Sequence, residues 1–218
     1  MEKVLFVAYQ FPPRGGPGVQ RSAALVKNLR SFGYDPVVLT IREEDIKQGG
    51  YQMDHSLLND LPAELEIVRV PSYEPVALTR GLMKLRLFRV VWFLFFPRFR
   101  ETSSSWPSKV AKEAEVIVKK HNIRLVYTTS GPYSSMELGK YLQEKLAIKW
   151  VADLRDPYTD AYAWQFPSRF HWLVSRRYEK TLFALPDKLI VNTPEVKKLY
   201  LSRGIIPESK ITVITNGF

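Results

Sequence analysis

Hydrophobic positions change period several times along this chain, and each change marks an element. Residues 4–8 (VLFVA) are a continuous apolar run of strand length, the pattern of a strand covered on both faces. A loop rich in proline and glycine follows (11–18, FPPRGGPG), and then Val19, Ala23, Val26 and Leu29 recur at helical spacing. Residues 36–41 (PVVLTI) read as a second strand and 65–70 as a third, with 42–64 polar and irregular between them apart from a short helix near Leu57 and Leu58. Beyond residue 106 the order becomes regular, with strands over 123–128, 148–152, 188–192 and 211–215. The helical patterns between them cover 107–121, 133–146, 167–185 and 194–201. Strands alternating with helices predict an α/β fold: a Rossmann-like three-layer sandwich whose mostly parallel sheet has about seven strands joined by right-handed crossovers.

Residues 79–100 (TRGLMKLRLFRVVWFLFFPRFR) depart from that order. The apolar run is well short of the ~20 residues a membrane span needs and arginines sit inside it, so a mainly helical, non-spanning element is expected. Two readings stand. In one, the helix packs on its own domain with its arginines at the rim. In the other it lies at a membrane interface, with Trp92 and Phe93 in the headgroup boundary and Lys84, Arg86, Arg89, Arg98 and Arg100 meeting lipid phosphates.

The net charge of +10 raises three classes of partner: nucleic acid, anionic lipid and phosphorylated substrates. Basic residues are spread over the Arg86 region, 109–120 and 169–180, with no zinc-finger or RNA-recognition motif, which makes nucleic acid the weakest of the three. There is no cysteine, so disulfides and thiolate chemistry are excluded. The opening MEKVLFVAY enters a strand directly and has no signal-peptide pattern, which places the protein in the cytoplasm. The closing Asn216-Gly217-Phe218 is a turn signal, from which further chain is expected to follow.

In an open parallel sheet, ligands bind beyond the C-terminal strand ends, which here are the loops 11–18, 129–132, 153–160 and 193–194. Gly15, Gly16 and Gly18 let the backbone approach a ligand at a helix N-terminus suited to an anion or a polar sugar; the alternative is a tight turn with no ligand. GxGxxG and GxxxxGK[ST] are both absent, and no acidic residue closes the second strand. Asp153-Leu154-Arg155-Asp156-Pro157 sets two carboxylates around an arginine. They could take sugar hydroxyls or serve as a base, or they could cap Arg155 and the following turn. His55, His121 and His171 lack ligand spacing for a metal, and no GxSxG or HExxH occurs.

FPPRGGPGVQR after the first strand, GYDPVVLT, DLRDP, LIVNTP and ITVITNGF together resemble the N-terminal half of retaining, nucleotide-sugar-dependent glycosyltransferases of the GT-B fold, the family 4-like group that builds lipopolysaccharide, capsule and other surface glycans. The resemblance runs over 3–218, with 42–105 contributing little. It implies one Rossmann-like half of a two-domain enzyme, the donor-binding C-terminal domain lying outside this chain, so that residues 1–218 alone are inactive. It places Gly15, Gly16 and Gly18 near the donor phosphates and transferred sugar with Arg21 on the helix behind, and Asp153, Arg155 and Asp156 on the acceptor side. Some relatives carry a histidine after the fourth strand; Thr129-Ser130-Gly131-Pro132 stands here instead, which suggests Ser130 or backbone groups in that position. The implied substrates are a nucleotide diphosphate sugar and a polyprenyl-linked or saccharide acceptor, with no bound cofactor or metal. The implied location is the inner face of the cell membrane, reached through residues 79–100. The residues that carry out the chemistry are left unassigned, and a non-catalytic module that binds a phosphorylated sugar or nucleotide is the alternative.

Overall fold

The computed structural model describes residues 1–95, 101, 103–161 and 166–216; the side chains of Phe88, Arg89, Trp92 and Phe95 also fall outside the description. Seven strands form one sheet: β1 (Glu2–Val7), β2 (Tyr34–Ile41), β3 (Glu66–Val70), β4 (Leu125–Thr129), β5 (Lys149–Leu154), β6 (Lys188–Val191) and β7 (Ile211–Val213). Their order is β3-β2-β1-β4-β5-β6-β7 and every pair is parallel. The chain therefore builds outward from β1 to β3, then crosses back to lay β4 against the other side of β1. A crevice opens at that reversal, above the C-terminal ends of β1 and β4.

The position of β1 follows from its apolar run. Leu5, Val7 and Tyr9 enter the large core on one face, while Phe6 and Ala8 enter a smaller core on the other. The large core is closed by α6 (Trp106–Lys120), α7 (Ser135–Leu146), α8 (Arg169–Phe183) and α9 (Pro194–Ser202), which supply Trp106, Val110, Met136, Leu182 and Tyr200. The smaller core is closed by α1 (Pro17–Leu29) through Val26 and by Leu61, Leu65 and Ile67. On β5 the same alternation sends Trp150, Ala152 and Leu154 into the large core, so Asp153 and Arg155 face α1.

The remaining helices correct the sequence reading in two places. Residues 42–64 hold, besides the expected short helix α3 (Ser56–Asn59), a second one, α2 (Glu43–Gln48), where an irregular segment was expected. Three acidic residues sit in the first turn of α2, Ile46 is fully buried, and Asp45 Oδ2 accepts the Ser72 N–H at 2.9 Å. A single buried apolar residue gives no period to detect. Residues 79–100 are not one helix: α4 (Val76–Lys84) and α5 (Phe88–Phe95) are separated by a turn in which Arg86 takes a left-handed backbone conformation, φ 57°. Arg98 and Arg100 lie outside the described residues. Among the described residues no helix is long and apolar enough to cross a membrane.

Element boundaries shift where side chains and backbone cap helices. β4 begins at Leu125 because α6 ends in a reversal in which Asn122 is left-handed and Ile123 N–H returns to Val118 O at 2.9 Å. α7 begins at Ser135 because both oxygens of Glu101 accept the Tyr133 and Ser134 N–H groups at 3.0 Å.

Gly139 in mid-α7 shows how closely that layer packs. A β-carbon there would come within 2.3 Å of Trp150 Nε1 and 2.8 Å of Thr128 Cγ2, and Trp150 Nε1 is itself bonded to Thr128 Oγ1 at 2.8 Å. Alanine would gain about 1 kcal/mol of helix propensity. Forcing a rigid, fully buried indole aside costs typically 1–3 kcal/mol. The expected outcome is that Gly139→Ala lowers the midpoint of a cooperative thermal transition, and an unchanged or raised midpoint would show that the Trp150 layer can yield.

Candidate functional site

Every loop that meets the crevice is fixed by contacts within the chain. The glycine loop is held against the segment before α3: Gly15 N–H donates to Gln52 O at 2.9 Å, Asp54 N–H to Pro13 O at 2.6 Å, and Arg14 forms a bridge with Met53. Arg69 adds a bond from Nη2 to Pro12 O at 2.7 Å. Gly16 is the residue whose backbone demands glycine, with φ 116°. It precedes α1, which has no side-chain cap and no acidic residue in its first turn, so the positive end of the helix is unopposed.

Arg21 and Asp153 form the centre of this end of the fold. Arg21 Nη2 donates to Asp153 Oδ1 at 2.8 Å and Nε to Oδ2 at 3.1 Å, with both side chains almost wholly buried, 5% and 1% exposed. Thr129 Oγ1 adds a bond to Oδ2 at 3.2 Å. Arg21 Nη1 also reaches the chain after β7, donating to Thr215 O at 3.0 Å and Asn216 Oδ1 at 3.3 Å. Burial works to lower the Arg21 pKa, but the bond and charge of Asp153 raise it above the usual arginine value. Burial, and then the Asp153 charge, push the nearby Tyr127 hydroxyl well above its ordinary range. Asp153 therefore neither caps Arg155 nor stands open to a sugar hydroxyl; its oxygens are bound within the protein.

Arg155 is in the opposite condition. Its guanidinium lies where side chains at two glycines would start: a β-carbon on Gly18 would come within 1.4 Å of Nη1, and one on Gly131 within 1.5 Å of Nη2. The glycines thus accommodate an arginine between the first and fourth strand-end loops, a reason for Gly18 different from the ligand contact the sequence suggested. Ser130, buried, supports the arrangement by accepting the Arg155 backbone N–H on Oγ at 2.9 Å. Burial lowers the Arg155 pKa, against the pull of the Asp153 and Asp156 carboxylates. Among the described residues no carboxylate comes within ion-pair distance of it. A guanidinium stays protonated at neutral pH, so the cost of desolvating it is offset when an anion arrives.

Arg155 lines a cleft of about 370 Å³ together with Gly16, Gly18, Arg14, Asp156, Asn192 and Asn216. Arg14 brings a second cation, its guanidinium carbon 3.6 Å above the Tyr51 ring, and Tyr51 and Tyr9 both direct their hydroxyls at Glu74. Asp156 is exposed at the rim. A larger cleft of about 530 Å³ lies over α7 between α6 and α8, but its two tyrosines, Tyr141 and Tyr178, have their hydroxyls bound to Glu115 and Glu137, and no strand-end loop reaches it. The strand-end cleft is the chemically equipped one. It can hold a phosphate or diphosphate between two guanidinium groups and a helix N-terminus. The sequence reading missed Arg14, Asn192, Asn216 and the Arg21–Asp153 pair. The one available signal was Arg21 itself, a charged residue between Val19 and Ala23 on a helix face otherwise marked for burial.

A Rossmann-like half-domain with its crevice at the β1/β4 reversal is the type of fold found in GT-B enzymes that act on nucleotide sugars. The comparisons give the family. The model of Glycosyltransferase Family 4 matches residues 14–218, and the chain belongs to that family. Solved structures with the same fold include a glycosyltransferase from Rickettsia africae, 17% identical over 99% of this chain and 43% of its own, with a TM-score of 0.53. Sucrose-phosphate synthase from Thermosynechococcus elongatus is 15% identical over 100% of this chain and 49% of its own, TM-score 0.59. UDP-GlcNAc 2-epimerase from Neisseria meningitidis, bound to UDP-GlcNAc, is 14% identical over 98% and 46%, TM-score 0.54. The chain spans less than half the length of these proteins. No curated protein matches the sequence.

The contrast between the two arginines gives a stability test. Asp153→Ala leaves Arg21 buried without its partner and is expected to destabilise by about 3–5 kcal/mol. Arg155→Met keeps the stem and removes a desolvated charge, so its urea midpoint should stay level or rise. A large loss of stability in Arg155→Met would show that the guanidinium has a structural partner after all.

Proposed function

We propose that the intact protein transfers a sugar from a nucleotide diphosphate sugar to a polyprenyl-linked or saccharide acceptor in surface polysaccharide or lipopolysaccharide synthesis, with retention of configuration. The observation that carries this reading is Arg155, a guanidinium with no ion-pair partner among the described residues, clamped by Gly18 and Gly131 and facing the strand-end cleft. Family membership supplies the class of reaction. Most contacts to the nucleotide belong, in this reading, to a second domain beyond residue 218, and residues 1–218 are the acceptor-side half.

The geometry suits charge stabilisation. As the bond between the sugar and the diphosphate lengthens, negative charge builds on the leaving phosphate. Arg155, Arg14 and the first turn of α1 are already oriented towards an anion and need no reorganisation as that charge develops. Asp156 and Asn192 stand at the rim, where sugar hydroxyls would lie. No side chain is assigned as base or nucleophile, since Asp153 is paired with Arg21. The acceptor-side half is held at the inner face of the cell membrane by α4 and α5, with Lys84, Arg86 and Phe93 among the contacts; the expected contacts Arg89, Trp92, Arg98 and Arg100 fall outside the described side chains.

The intact protein, assayed with UDP- and GDP-sugars and membrane extract, is expected to turn over at least one donor. Arg155→Met and Gly18→Ala, the latter expelling Arg155 from its slot, should each reduce kcat by roughly 10²–10³-fold, the usual effect of losing one preorganised group at a developing charge. Calorimetry with UDP separates this from a binding module. Residues 1–218 alone should bind UDP weakly, and equal micromolar affinity for the piece and the intact protein, with no turnover, would overturn the transferase reading.

A further inference from the structure

We infer that Gly49, Tyr51 and Glu74 are positioning residues: together they hold the Arg14 guanidinium at the strand-end cleft and so set how tightly the cleft binds a diphosphate, which rests on the reading of that cleft given above. Arg14 reaches the cleft on the glycine loop, just ahead of Gly15 and Gly16. Its guanidinium carbon lies 3.6 Å above the Tyr51 ring. A carboxylate in that place would hold the arginine but cancel its charge. An aromatic face holds it and leaves the charge to a ligand.

The ring is held in turn from two sides. Gly49 closes α2 with φ −69° and ψ −12°, a right-handed conformation open to any residue, so its backbone does not call for glycine. What calls for it is the ring: a β-carbon on Gly49 would come within 2.5 Å of Tyr51 Cε2 and 2.7 Å of Cδ2. At the other end of the ring, the Tyr51 hydroxyl is 3.4 Å from each oxygen of Glu74. Burial, and then the Glu74 charge, raise the Tyr51 pKa, so the hydroxyl keeps its proton and donates it to the carboxylate. Glu74 is anchored to the core. Its Oε1 accepts the hydroxyl of buried Tyr9, whose ring stands edge-on to that of Trp106 at 5.2 Å, and its own N–H donates to Ser72 Oγ at 3.3 Å. A path of contacts thus runs from Trp106 through Tyr9, Glu74 and Tyr51 to Arg14. Among the described residues that line the cleft, Arg14 is present and Gly49, Tyr51 and Glu74 are not, so these three reach a bound anion only through the guanidinium they hold.

The test is calorimetric titration of the intact protein with inorganic pyrophosphate. Arg14→Met should weaken binding by about tenfold or more, the effect of losing a charged hydrogen-bond donor. Tyr51→Leu should weaken it by about fivefold, the size of a cation–π contact. Gly49→Ala, which displaces the ring while keeping every ring and charge, should act like Tyr51→Leu, and Tyr51→Phe, which keeps the ring and loses its hold on Glu74, should fall between Tyr51→Leu and the unaltered protein. The double variants decide the matter. In the Arg14→Met background, Tyr51→Leu and Gly49→Ala should have no further effect, because their influence passes through the guanidinium. Should Tyr51→Leu disturb folding by circular dichroism, Gly49→Ala and Tyr51→Phe make the same comparison. An equal loss in both backgrounds would reveal a general effect on the fold and overturn the inference. So would full affinity in Arg14→Met, or absence of pyrophosphate binding by the unaltered protein. Donor turnover is read separately with UDP- and GDP-sugars: the expected pyrophosphate cycle in a protein that turns over no donor would uphold the positioning of Arg14 and overturn the transferase reading alone.

Discussion

The ion pair between Arg21 and Asp153 fixes the end of the sheet on which the site is built. Four separate parts of the chain meet in it: α1 through Arg21, β5 through Asp153, the end of β4 through Thr129, and the chain after β7 through Thr215 and Asn216. A fully desolvated pair of this kind gives little net stability compared with apolar packing, because both charges leave water. Its effect is geometric. With three hydrogen bonds into one carboxylate, the strand-end loops have one mutual arrangement, and departures from it would leave a buried charge exposed to a low-dielectric interior.

That arrangement decides what Arg155 can do. Two residues along β5 and facing the same side, it would be the obvious partner for Asp153 if Arg21 were absent. Because Arg21 takes both carboxylate oxygens, Arg155 extends instead between Gly18 and Gly131 toward the cleft. Two arginines and one aspartate thus sort into a neutral structural pair and a residual cation, and the residual cation sits where an anionic ligand can reach it. Arg14, stacked on Tyr51, adds a second charge from a loop pinned by Gln52, Asp54 and Arg69, so the positive potential rests on rigid supports.

The sequence displayed the frame of this site but not its pairing. The central strands were legible because a strand buried on both faces is apolar throughout, the edge strands β3 and β7 because they keep short β-branched runs, and the loops at the C-terminal ends followed from the parallel order. The glycines were legible as glycines, yet their reason was not: Gly18 and Gly131 are small because an arginine 137 and 24 residues away fills their space, a tertiary fact without a local trace. Helix α2 escaped because only Ile46 of its six residues is buried. The break at Arg86 escaped because the residues around it keep the basic and apolar mixture of both flanking helices while the backbone alone reverses.

The cations of this protein therefore act in two physical regimes. Arg21 is desolvated in its pair with Asp153, and counter-ions in solution reach it poorly, so that interaction persists as salt rises, while Arg155, half-buried, faces the cleft. Those around α4 and the start of α8 are exposed, and their attraction to a charged surface decays within a Debye length of about 8 Å at physiological ionic strength. The first group needs a fixed fold to be useful, which is why it lies at the meeting point of four chain segments. The second lies on helices that His171 joins, its ring against that of Phe93 and its Nε2 3.1 Å from the Phe93 carbonyl. Gathering like charges costs self-repulsion, and an isolated domain relieves that most cheaply by spreading acids among them. Residues 76–100 and 161–178 contain no acid at all. A cation in the cleft is neutralised by a single bound anion, whereas exposed cations on α4 and α8 are screened by ions in solution, so the net charge of +10 has two electrostatically separate parts.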